Sequence, residues 1–237
     1  MAHDNTTDKE TGKETPQSAI LFELENIAVN GRQIIYDVLK SVLDGKSIEL
    51  TPAVFSRYCL RPSVNDYLPD LLASKKKSQL SENKLIAEIS SGIKLSFTDS
   101  AVKVEKKLGK ILKLASQQNI LMGALSGLDE EVARQMADNL GLTNKGVCLL
   151  SCPSGDKNYP AADTWLKLAK EMSVLPTLCV ALVTNSISCK AALSAGMQCV
   201  VIPDKFTSHQ DFGGSDYVID QFDDNTVDKI FELLSDN

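Results

Sequence analysis

The sequence predicts an α/β fold: a parallel sheet covered by helices, with a separate block of helices inserted after the first strand. Short apolar runs alternate with amphipathic stretches at helical spacing from residue 18 to residue 234. That alternation is the pattern of repeated strand and helix units on a parallel sheet. The first run is cut off from the others by residues 32–96, which are rich in helix formers. This segment is too long and too regularly patterned to be a loop.

Residues 1–17 (MAHDNTTDKETGKETPQ) contain almost nothing that could be buried. Ordering them would cost entropy that no contact offsets, so a flexible tail is expected. The first strand is expected at 19–24, followed by helices at 34–43, 52–58, 64–72 and 82–89. The α/β series then resumes with a helix carried by Val104, Leu108, Ile111, Leu112 and Ala115, and a strand at 120–125. A helix on Val132, Met136 and Leu140 leads to a strand at 147–150, and one on Trp165, Leu168, Ala169 and Met172 to a strand at 178–183. Strands at 199–202 and, as an edge, 217–219 precede a last helix on Val227, Ile230, Phe231 and Leu234. Gly141 and Gly196 fall where helix C-caps are expected. The division that follows is a core of residues 18–31 and 97–237 with a helical cap at 32–96.

A net charge of -6 and a pI of about 5.0 argue against nucleic acid as a partner, because binding to a phosphate backbone is driven by clustered cations. The densest basic run, Lys75, Lys76 and Lys77, reads as a solvated loop. No apolar stretch approaches the roughly 20 residues that span a bilayer, and the first residues lack the apolar core of a signal peptide. No membrane association and a cytoplasmic location are therefore the expectation. Cys59, Cys148, Cys152, Cys179, Cys189 and Cys199 lie mostly inside apolar runs without a C-x-x-C pair, and His3 and His209 are the only histidines. They read as buried thiols, with a Cys148 to Cys152 redox pair as the alternative.

The segment 19–30, AILFELENIAVN, resembles the opening motif of haloacid dehalogenase (HAD) hydrolases, in which an apolar strand ends in D-x-D-G-T. The stretch 159–170, then 179–183, 191–197 and 201–204, resembles the later motifs of the same superfamily, and the cap segment 45–58 with Arg61-Pro62 resembles that of β-phosphoglucomutase-like members. The resemblance implies a HAD-like Rossmannoid core with a helical cap that closes over substrate. It also implies phosphoryl transfer by a carboxylate nucleophile and a magnesium ion. Glu23 falls on the nucleophilic aspartate and Glu25 on the general acid/base.

The parts of that mechanism are largely replaced. Glu23 is longer than aspartate by one C–C bond, about 1.5 Å, and a misplacement of about 1 Å can cost a reaction ~100-fold. Counting back from Gly196, the acidic metal-binding pair falls on Val183 and Thr184, which supply no charge to a hard cation. The phosphate-binding lysine falls on Tyr159, with Lys157 two residues before it. Ser126, at the end of the strand 120–125, matches the hydroxyl that orients the phosphoryl group, and Gly127 follows with a free N–H. Asp163 reads as a helix N-terminal residue, Asp204 as a turn residue and His209 as an exposed loop residue.

The reading is a HAD-like pseudoenzyme with a binding or regulatory role, whose partner is a small phosphorylated ligand or another protein. The alternative is a slow or atypical phosphatase or phosphomutase acting on a small phosphorylated metabolite, in which Glu23, Glu25 and Asp156 rebuild a metal site. A metal-independent dehalogenase ranks third, since it needs the aspartate that Glu23 replaces. No cofactor is expected, and magnesium only weakly.

Overall fold

The structure, a computed structural model, describes residues 17–61, 63–77, 79–152 and 159–235. Six parallel strands form one sheet in the order β3-β2-β1-β4-β5-β6: β1 Ala19–Glu23, β2 Leu121–Ser126, β3 Cys148–Ser151, β4 Cys179–Val183, β5 Gln198–Val201 and β6 Tyr217–Val218. Each strand lies within two residues of the run that predicts it. The chain adds β2 and β3 on one side of β1, then β4, β5 and β6 on the other. Open parallel sheets bind ligands beyond the carboxyl ends of their strands at such a reversal.

Period-two alternation divides the core. Ile20, Phe22, Val180 and Leu182 pack on one face against α5 (Lys106–Gln117), α6 (Glu130–Asn139) and α9 (Asp224–Ser235). Ala19, Leu21, Ala181 and Val183 pack on the other against α7 (Ala162–Glu171) and α8 (Ser186–Ser194). Gly141 and Gly196 take left-handed φ values of 68° and 77° after α6 and α8, the conformation a helix-ending glycine supplies without a Cβ clash.

Between β1 and α5 come four helices: α1 Gly31–Asp44, α2 Pro52–Tyr58, α3 Val64–Ser74 and α4 Glu82–Thr98. Thr51 caps α2 by accepting the Val54 N–H, and Pro52 takes the first helical position. The four helices share an apolar cluster of their own, around Leu39, Leu43, Phe55, Leu68 and Ile89. Phe206, from the loop after β5, belongs to it: its ring lies 4.6 Å from that of Phe55 and 5.5 Å from that of Tyr36.

Three elements differ from the sequence expectation, and the first is α4, which runs past residue 89 to Thr98. Residues 186–194 form a helix whose buried side is Ser188, Cys189, Ala191 and Ala192, and such small residues leave no apolar stripe to read. Val104 precedes α5 rather than lying within it. Cys59, Cys179, Cys189 and Cys199 are buried, and burial pushes the Cys59 and Cys179 thiols up to about 12, which keeps them in the inert thiol form. Asp163 sits in the first turn of α7, and His209 is exposed. Among the described residues no helix is long and apolar enough to cross a membrane.

Candidate functional site

The chain leaves the sheet at Glu23 and at once makes a π-helical turn, Leu24–Ala28. Leu24, Ile27 and Ala28 are buried, and that anchoring holds Glu25 at the carboxyl end of the sheet. Gly31 closes the turn: a Cβ there would stand 2.2 Å from the Glu25 carbonyl oxygen, so only glycine fits. Wide helical turns of this kind concentrate at functional sites.

Glu23 is 4% exposed, at the end of the central strand. Thr184 Oγ1 donates to its Oε2, while Ser188 Oγ and Asn185 Nδ2, the latter at 3.0 Å, donate to its Oε1. Asn185 does two jobs. Its Oδ1 accepts the Ser188 N–H at 2.9 Å and caps α8, which fixes the amide so that its nitrogen meets Glu23. Thr184 is held in turn by Thr207, whose hydroxyl donates to the Thr184 carbonyl at 2.8 Å.

Glu25 faces the neighbouring strand. Its Oε1 accepts Ser126 Oγ–H at 2.5 Å, the Gly127 N–H at 2.9 Å and the Leu128 N–H at 3.2 Å. Burial pushes its pKa up against these hydrogen bonds, which pull it down, and the net direction is upward. Tyr159 packs against Gly127, where a Cβ would come 2.7 Å from its ring. Burial, with Glu25 and Glu23 beside it, holds the Tyr159 hydroxyl well above the ordinary tyrosine value, so it stays neutral.

These groups line a cavity of about 160 Å³ beneath α1 and α2, walled by Arg32, Phe55 and Phe97 as well. That is below the roughly 300 Å³ at which small-molecule pockets begin. Cys59, Arg61, Gly127 and Leu128 also line an adjoining groove of about 590 Å³. Asn26 Oδ1, on the cavity wall, is buried with no hydrogen-bond partner among the described residues.

Glu23, Glu25, Gly127 and Tyr159 all face this one cavity, with Ser126 and Thr184 bonded directly to the two carboxyl groups. Lys157 and Asp156 lie outside the described residues. The spacing count back from Gly196 gives Val183 and Thr184. Val183 points into the apolar core between the sheet and α8, and Thr184 and Asn185 are the pair that meets Glu23. Neither is acidic. Asp204 makes a turn, accepting the Phe206 N–H at 2.8 Å, and also pairs with Arg32. Sequence reasoning missed Asn185, Ser188 and Arg32. An asparagine at a strand-to-helix junction was the one signal for the first.

Among the described residues, the donors around Glu23 do not form a magnesium site. The Glu23 carboxyl group is engaged by three neutral donors, and among the described residues no cluster of three His, Cys, Asp or Glu side chains could hold a metal ion.

No protein-family model matches the chain. A segment of 63 residues is 35% identical to Protein CbbY of Cereibacter sphaeroides, and the match spans only 27% of this chain and 27% of CbbY. Solved structures cover far more. CbbY from Rhodobacter sphaeroides in complex with phosphate superposes with a TM-score of 0.68 at 14% identity, over 87% of this chain and 95% of that one. β-Phosphoglucomutase from Clostridium difficile gives 0.71 at 17% identity, over 93% and 98%. A haloacid dehalogenase-like protein of unknown function from Agrobacterium tumefaciens gives 0.71 at 16%, over 91% and 99%. Element order, sheet topology and these superpositions agree, and the chain has the haloacid dehalogenase fold.

Proposed function

We propose that this chain is a non-catalytic protein on the HAD fold, with a binding or regulatory role centred on the crevice between the sheet and helices α1–α4. Residues 32–96 act as its cap. The observation that supports this best is the environment of Glu23. A nucleophile needs a free carboxylate oxygen aimed into the cavity, and a hard cation needs several anionic ligands. Glu23 instead accepts hydrogen bonds from Thr184, Asn185 and Ser188, which fixes it as a structural acceptor. Without a cation to offset the repulsion between a carboxylate and a phosphoryl group, most of the stabilisation of such a reaction is lost. Fold alone does not restore it.

The ligand to test first is a small phosphorylated molecule, because CbbY, a solved neighbour, was crystallised with phosphate. A protein partner is the second choice.

The test is a magnesium titration by calorimetry together with an assay on para-nitrophenyl phosphate. No saturable magnesium heat and no magnesium-dependent turnover are expected. Robust turnover that Glu23→Gln abolishes would establish the rival, a slow or atypical phosphatase or phosphomutase.

A further inference from the structure

Three hydrogen-bond donors at the end of β2 converge on one point. Ser126 Oγ–H, the Gly127 N–H and the Leu128 N–H all reach a single oxygen, at 2.5, 2.9 and 3.2 Å. Such a cluster of a hydroxyl and consecutive backbone amides is built to receive an oxyanion. The point is already taken. The oxygen belongs to Glu25, which is 8% exposed and crosses from the turn after β1 to reach it.

We propose that Glu25 is an internal ligand of this cradle, so that a phosphoryl group enters only by displacing it. The proposal deepens the binding role above and rests on the crevice being a ligand site. Each N–H has one hydrogen to give, and Glu25 holds both of them together with the Ser126 hydroxyl. A second oxyanion arriving there would find no donor unused and a carboxyl oxygen in its place. Side-chain length makes the contact. A glutamate extends about 1.5 Å further than an aspartate, and at the Ser126 distance of 2.5 Å a withdrawal of that size breaks the bond. Surrounding contacts hold the occupant in: the Leu128 N–H is shared with Ser126 Oγ at 3.1 Å, and the Tyr159 ring covers Gly127.

The experiment compares inorganic phosphate binding by calorimetry in the full chain and in the Glu25→Ala and Glu25→Gln variants, each checked for folding by circular dichroism. Glu25→Ala empties the cradle and should bind phosphate at least ~10-fold more tightly than the unmodified protein, about 1.4 kcal/mol. Adding Ser126→Ala should remove that gain. Glu25→Gln keeps an acceptor oxygen of the same reach and should stay closed. A folded Glu25→Ala that binds no better than the unmodified protein overturns the proposal. A second measurement follows the amide resonances of Gly127 and Leu128 as phosphate is added: in the unmodified protein they should move only at concentrations at least ~10-fold above those that move them in Glu25→Ala. Movement at the same concentrations in the two proteins overturns it as well. Phosphate binding without turnover that is as tight in the unmodified protein as in Glu25→Ala sinks this proposal alone, whereas magnesium-dependent turnover sinks the non-catalytic reading.

Discussion

Arg32 and Asp204, 172 residues apart, meet at 2.9 Å and fasten the first turn of α1 to the loop behind β5. The Arg32 side chain is 9% exposed and that of Asp204 27%. One residue pair away, Phe206 is inserted among the rings of Tyr36 and Phe55. An ion pair and an aromatic anchor thus bind the helical segment to the core from the same loop.

Removing one partner of such a pair leaves a charge with nothing to offset its desolvation. Asp204→Asn should cost about 2 kcal/mol, less than for a fully buried pair because Asp204 is partly solvated. Arg32→Met should cost less, since Asp204 keeps the Phe206 N–H and some water. Urea unfolding of the two single variants and the double variant should give a coupling of roughly 1 kcal/mol. Additive effects would show that the pair does not tie the two segments together.

Two glycines in helices should respond oppositely to alanine. At Gly31 the new Cβ meets backbone, 2.2 Å from the Glu25 carbonyl oxygen, and the turn cannot yield without moving Glu25 out of its cradle. A loss of about 3 kcal/mol is expected, at the upper end for overpacking. Gly109, in α5, has nothing within 4 Å of its would-be Cβ, so Gly109→Ala should stabilise by about 0.5–1 kcal/mol. Equal effects of the two changes on the unfolding midpoint would contradict the close approach at Gly31.

Much of the fold was legible because its strands are buried on both faces. Unbroken apolar runs such as 19–22 and 178–183 have one reading when they recur between amphipathic stretches. The positions of Glu23, Glu25 and Ser126 followed, since each stands at or just past a strand end. Their partners did not follow. Asn185 and Ser188 reach Glu23 from the N-cap and first turn of α8, and small residues on the buried side of α8 hid its register. The bond from Glu25 to Ser126 joins residues 101 apart in sequence, and only the sheet order makes them neighbours.

Glu25 also sets an expected pH response. Burial raises its pKa in the folded protein above the value in the unfolded chain. The folded state therefore binds the proton more readily, so this group's contribution is fully present below the unfolded carboxylate value, near 4.3. It is lost as pH rises through the folded value. Glu23 and Tyr159 are the titratable neighbours, and Tyr159 stays neutral throughout. Asp223 and Asp224, whose values are lowered by Thr226 and by Lys107 respectively, act in the opposite sense and lose stability as pH falls. Glu25→Gln removes only the first effect. The stability difference between the unmodified protein and Glu25→Gln, measured by urea unfolding, should shift in favour of the variant as pH rises from the ordinary carboxylate range. A difference independent of pH would contradict the raised value.

The strongest check on the chemistry is to build a metal site around Glu23. Thr184 and Asn185 are the side chains that meet Glu23, so Glu23→Asp, Thr184→Glu and Asn185→Asp together would replace neutral donors by a cluster of carboxylates. The fold should tolerate this. Aspartate caps a helix as well as asparagine does, and shortening Glu23 makes room for the longer side chain at 184. Calorimetry should then detect magnesium binding in the millimolar range, about 4 kcal/mol, where the unmodified protein shows none. Each single change should bind no metal, because the cation needs several hard anionic oxygens at once. Val183→Glu, the change that spacing alone would suggest, should instead place a charge in the apolar cluster between the sheet and α8 and unfold the protein. Even with metal bound, turnover of para-nitrophenyl phosphate should stay negligible until Glu25→Asp withdraws the carboxyl group from Ser126, since parts of one catalytic unit do not act singly. Magnesium binding by the Val183→Glu variant but not by the triple variant would show that the crevice is built differently from the arrangement around Glu23.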